Sequence, residues 1–84
     1  MKHAGPSTLD HLVELVLALR ALKGLKEQRP GIFYRRSRAF LHFHEDVAGI
    51  FADVRAANSS DFDRFDVTDP AHWPDFMAEV AKRL

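Results

Sequence analysis

The residues with the most chemistry in them lie together in His42-Phe43-His44-Glu45-Asp46. Alternate side chains of an extended strand share one face, so His42 and His44 would project together, about 6.5 to 7 Å apart along the chain. Two imidazoles with a nearby carboxylate form a partial ligand set for zinc or another divalent ion. Asp53 is expected across a hairpin from them, and Glu45 and Asp46 at its turn. His42, His44 and Asp53 are therefore the candidate metal ligands, and a divalent metal is the only cofactor these residues suggest. The metalloprotease pattern HExxH is absent, because His44-Glu45-Asp46-Val47-Ala48 lacks the second histidine. The competing reading of the same residues is ordinary packing with a His–carboxylate hydrogen bond. Such a patch would still respond to pH near the imidazole reference pKa of ~6.5.

A second cluster, Arg35-Arg36-Ser37-Arg38, is expected at the tip of a hairpin, with Phe33, Tyr34 and Phe40 beside it. Guanidinium groups among aromatic rings can grip phosphates and stack bases. Arg35, Arg36 and Arg38 are thus candidate nucleic-acid contacts, or else a solvated turn whose charge protects a sheet edge. Catalysis finds little support. There is no cysteine, which removes thiol nucleophiles and Cys-based zinc sites. No GxSxG elbow is present, and Gly5, Gly24, Gly31 and Gly49 are too scattered for a phosphate loop or a dinucleotide fingerprint. His42 and Asp53 could pair as acid and base, but no nucleophile accompanies them. The expectation is a non-enzymatic protein. His3 and His11 read as a tail residue and an exposed helix residue.

These groups need elements to position them. Ser7-Thr8-Leu9-Asp10 opens a helix with Ser7 as its cap. Leu9, Leu12, Val13, Val16 and Leu19 make one stripe at helical spacing, and Leu15, Leu22 and Leu25 fall opposite it. The helix is expected to run, bent or covered on two sides near Gly24, as far as Arg29-Pro30-Gly31. Four β-like runs follow at residues 32–35, 39–44, 49–55 and 62–67, rich in aromatic and β-branched residues. A last helix starts near Pro74 with Phe76, Met77, Val80, Ala81 and Leu84 on one side, and Trp73 fixes the chain's entry into it. The spacing predicts an α+β fold, α-β-β-β-β-α: a four-stranded antiparallel meander with both helices on one face. It forms a single domain over 1–84, with 1–6 frayed.

Strand parity divides the sheet. Ile32, Tyr34, Ala39, Leu41, Phe43, Ile50, Ala52, Val54, Phe65 and Val67 form an almost wholly apolar set assigned to the helices. The other set holds Phe33, Arg35, Phe40, His42, His44, Phe51, Asp53, Arg55, Phe62, Arg64 and Asp66. Phenylalanines among ionisable groups suggest a covered surface. The leading expectation is a homodimer, or another partner, seated on Phe33, Phe40, Phe51 and Phe62. In that reading Arg35, His42, His44, Asp53 and Arg64 set register and pH response. A small-molecule cleft on the same face is the alternative.

Composition fits this reading. The chain has 84 residues, 46% hydrophobic and 29% charged, which is ordinary for a globular domain and too apolar for disorder. No run approaches the length of a membrane span. The start lacks a signal-like apolar stretch, so the protein reads as cytoplasmic. The formal net charge is zero, which argues against a general nucleic-acid coat. Charge is nonetheless divided, with eight basic against three acidic residues up to Arg38 and four against nine after it. Internal pairing of the two halves is the simplest account.

The stretch Gly31–Arg55, with Phe40-Leu41-His42-Phe43-His44-Glu45-Asp46 and Gly49-Ile50-Phe51-Ala52-Asp53-Val54-Arg55, resembles small bacterial proteins of unknown function. That resemblance implies a compact α+β unit and supplies no activity, cofactor or site residue.

Overall fold

Residues 2–84 are described by the structure, a computed structural model. The chain forms β1 (Lys2–His3), α1 (Pro6–His11), α2 (Val13–Arg20), β2 (Lys26–Arg29), β3 (Ile32–Arg35), β4 (Arg38–Asp46), β5 (Gly49–Arg55) and β6 (Phe62–Asp66). A single 3-10 turn at Pro70–His72 then leads into α3 (Trp73–Lys82). The sheet runs β2-β3-β4-β5-β6, and β1 also pairs with β4. All pairings are antiparallel. The class is α+β, with six strands rather than four. Among the described residues, no helix is long and apolar enough to cross a membrane.

The long strand β4 positions most of the chemistry. Along one edge it pairs first with β3, from Arg38 to His42, and then with β1, at His44 and Glu45. Lys2 and His3, expected to fray, are therefore part of the sheet. Gly5, not Ser7, sits at the start of α1, and its N–H donates to Glu45 Oε1 at 2.5 Å.

The first helical region is shorter than its leucine spacing suggests. It breaks at Leu12 (φ −100°, ψ 12°) and ends at Arg20. The break shifts the buried stripe, so Leu12, Leu15, Val16 and Leu19 are buried while Val13 and Leu17 are each 53% exposed. Beyond Gly24 the chain becomes β2, whose Lys26-Glu27-Gln28-Arg29 has no apolar alternation to announce a strand. Pro30-Gly31 is the two-residue turn into β3, with Arg29 paired to Ile32. Proline presets the first turn position, and Gly31 supplies φ +77° at the second. Glu27 braces the turn by accepting from the Gly31 N–H at 3.0 Å and from Arg20 Nε at 2.5 Å.

One core holds the layers together. Leu41, Phe43, Ala52, Val54 and Val67 form one cluster with Leu12, Leu15, Val16 and Leu19 of the first helical region and with Phe76 and Val80 of α3. Phe33 and Phe40 belong to this core, 0% and 4% exposed, which corrects their expected place on the open face. The reason is a β-bulge. Phe33 pairs with Leu41 but Tyr34 pairs with Ala39, leaving Phe40 as the extra residue of β4. Residues directly opposite share a face, so Phe33 follows Leu41 inward and Ile32 follows His42 outward.

A histidine cluster on the open sheet face

The register assembles the site across strands far apart in sequence. One row of neighbours runs His3, His44, Phe51, Asp66, and the next runs Ile32, His42, Asp53, Arg64. Arg55 and Phe62 form a further pair, with the Arg55 guanidinium 4.7 Å from the ring centre. Thus His42, His44, Phe51, Asp53, Phe62 and Arg64 share a region, and His3 joins them.

The three imidazoles are in contact. His42 Nδ1 lies 2.6 Å from His44 Nε2. The His42 and His44 rings cross at 84° with centres 4.6 Å apart, and His3 stacks on His44 at 5.0 Å. One ring nitrogen from each of His3, His42 and His44 falls within 4.8 Å of the others. Phe62 closes one flank, 5.1 Å from the His42 ring.

Asp53 forms the floor. It is the one buried charged residue among those described, and Arg64 holds it in a fork, Nε to Oδ1 and Nη2 to Oδ2, each 2.8 Å. That hydrogen-bonded fork keeps the Asp53 carboxyl below its ordinary pKa, so it is ionised at neutral pH. His44 Nε2 stands 3.2 Å from Asp53 Oδ2. Burial lowers the pKa of both His42 and His44. The neighbouring ring pushes His42 further down, and Asp53 only partly offsets burial in each. Both rings are therefore neutral at pH 7.

The tautomer of His44 is set by its neighbours. With the proton on Nε2, it serves Asp53 Oδ2 at 3.2 Å. With the proton on Nδ1, the Nε2 lone pair accepts from the His42 Nδ1–H across 2.6 Å. The buried Nδ1 has no hydrogen-bond partner of good geometry among the described residues, although the Lys2 backbone lies within reach of the ring.

Other expected participants lie elsewhere. Glu45 turns to the opposite face and binds the start of α1, and Asp46 accepts from the Ala48 N–H at 2.9 Å within its own turn. Arg35, Arg36 and Arg38 sit at the turn that opens β4, about 13 Å from His42 and about 20 Å from His44 at strand spacing. Of their expected aromatic partners, Phe33 and Phe40 are in the core and Tyr34 is half-buried. His3 is the residue that sequence reasoning missed. A two-residue strand has no periodicity, and only its pairing with His44 reveals it.

No family model, curated protein or solved structure matches this chain.

Proposed function

We propose that this domain binds one divalent transition-metal ion through His3, His42 and His44. Asp53, clamped by Arg64, acts as the carboxylate that orients His44. The observation that carries this reading is the convergence of three imidazole nitrogens within 4.8 Å. Imidazole suits zinc, copper and nickel ions, and a carboxylate behind a ligating histidine is the usual outer partner. With Nε2–H of His44 serving Asp53, its Nδ1, which has no hydrogen-bond partner of good geometry among the described residues, is left to ligate an ion. A metal ion places a positive charge beside the rings while both stay neutral.

A tetrahedral ion with metal–nitrogen bonds of about 2.0–2.1 Å needs its ligands about 3.3 Å apart. The ligating nitrogens, now within 4.8 Å of one another, must therefore adjust by small ring rotations to meet one ion. Three protein ligands leave a fourth position open to solvent.

A second copy of the chain on this face is the competing reading. Phe51 and Phe62 remain there, half-buried, and favour it. Phe33 and Phe40, which would complete the apolar contact, are spent in the core. Elemental analysis and light scattering of tag-free protein separate the two. The metal reading expects one ion per chain, lost in His44→Ala, on a particle of 9.6 kDa. A metal-free dimer that dissociates on Phe51→Asp would replace it with the self-association reading. An ion at a hundred times its Kd should add about 2.7 kcal/mol of stability. For a domain of this size that raises Tm by roughly 10 °C or more, and His3→Ala should lose most of the gain.

A further inference from the structure

At the other end of the sheet, a pocket of about 450 Å³ opens between the β3–β4 turn and the loop that follows β5. Five arginines line it, Arg35, Arg36, Arg38, Arg55 and Arg83, and no acidic residue does. Arg83 is neutralised by Asp63 at 2.9 Å and Glu79 at 3.0 Å. Arg55 is fixed without being neutralised, donating to the carbonyl oxygens of Ala39 at 2.8 Å and Ser60 at 3.3 Å. Among the described residues, Arg35, Arg36, Arg38 and Arg55 make no ion pair.

Two features of the turn work against stability. Arg35 and Arg38 are directly paired across the strands, and like charges in that position repel. Arg36 holds φ +60°, where glycine or asparagine is easily accommodated and other side chains are uncommon. A turn shaped by stability alone would carry neither. Strain and repulsion concentrated at one pocket point to a ligand that uses the charges.

We infer that this pocket binds the phosphoryl group of a small, hydroxyl-bearing phosphorylated molecule. Guanidinium forks match phosphate oxygens in geometry and charge. Ser37, Asn58 and Ser59 also line the walls and offer hydrogen bonds to a polar body. The volume suits a small molecule. Single-stranded nucleic acid fits less well, because it needs exposed rings for stacking and Phe40, the pocket's only aromatic residue, is 4% exposed. This site is independent of the histidine cluster.

The test is an amide NMR titration at low salt with a chelator present, using ribose 5-phosphate, inorganic phosphate and single-stranded oligothymidylate in turn. Ribose 5-phosphate should bind saturably at millimolar concentration or below and shift the Arg35–Arg38 and Asn58–Ser60 amides. Inorganic phosphate should bind the same place more weakly. Arg36→Gly should weaken binding roughly tenfold, the loss of one charged hydrogen bond, while its melting midpoint stays level or rises. Arg38→Gln should weaken binding similarly. The proposal fails if ribose 5-phosphate does not saturate in the millimolar range, or if both variants bind unchanged. It fails equally if the oligonucleotide binds more tightly than ribose 5-phosphate, which would make the turn a nucleic-acid contact.

Discussion

At the scale of single residues, His44 decides the character of the open face. It touches His42, faces Asp53 and stacks on His3, while its Nδ1 is buried without a hydrogen-bond partner of good geometry among the described residues. Protons and metal ions compete for such a group, and the metal-free protein shows the proton side alone. Burial depresses the folded-state pKa of His42 and His44 below the ordinary 6.5. Between the two values the unfolded chain binds more protons than the folded one, so stability falls as pH drops below about 6.5 and levels off past the folded pKa values. Asp53 acts in the same direction at lower pH. Its folded pKa lies below 3.8, so its contribution is complete above that value and lost as pH falls through the folded one. Urea melts of chelator-treated protein from neutral pH to about pH 5 should show this decline, flattened in His44→Gln. A flat profile in the unaltered protein would mean the rings are not held neutral by burial. His42, His44 and Asp53 were legible in the sequence because alternation along a strand and pairing across a hairpin are local rules. His3 was not, because its place depends on a contact with a strand forty residues away.

At the scale of elements, the sheet's two faces are set by one extra residue. The bulge at Phe40 carries Phe40 inward, and pairing with Leu41 carries Phe33 inward. Parity counted from the sequence assigns both outward because nothing local marks the bulge. Phe33→Ala should therefore cost about 3–5 kcal/mol, as for a fully buried ring. Phe51→Ala, on the open face, should cost only about 1 kcal/mol. Equal costs in urea melts would restore the simple alternation. The Pro30-Gly31 turn offers a second check. A Cβ on Gly31 would stand 2.9 Å from Leu9 Cδ2 on a backbone already at φ +77°. Gly31→Ala should lower stability by roughly 1–2 kcal/mol and loosen β2 first. Hydrogen exchange of the β2 amides would show it, and unchanged protection would contradict the assigned turn. β2 itself was hidden in the sequence because a polar edge strand after a leucine-rich helix carries no alternation.

At the scale of the whole molecule, the division of charge resolves differently from simple pairing of halves. Among the described ion pairs, only Lys2–Glu45, at 3.9 Å and exposed, joins a base of the first half to an acid of the second. Three acids of the second half, Asp53, Asp63 and Glu79, pair with its own Arg64, Lys82 and Arg83. Arg35, Arg36 and Arg38 keep their charge free at one end of the sheet, while the histidines gather toward the other. A domain of this size has a marginal core, so a bound ion would matter to its stability as well as to its role. The α+β class was legible from the apolar periods; the separation into two chemically distinct ends was not, because it depends on which edge of β4 each segment reaches.

The most direct test of the metal reading is isothermal titration of Zn²⁺ into tag-free, chelator-stripped protein, with His3→Ala and His44→Ala beside it. The account predicts one ion per chain with proton release that grows as the pH is lowered toward the imidazole range. It also predicts affinity at least roughly tenfold weaker in each variant, as befits loss of a direct ligand. No saturable heat in the unaltered protein, or identical curves in all three, would contradict it.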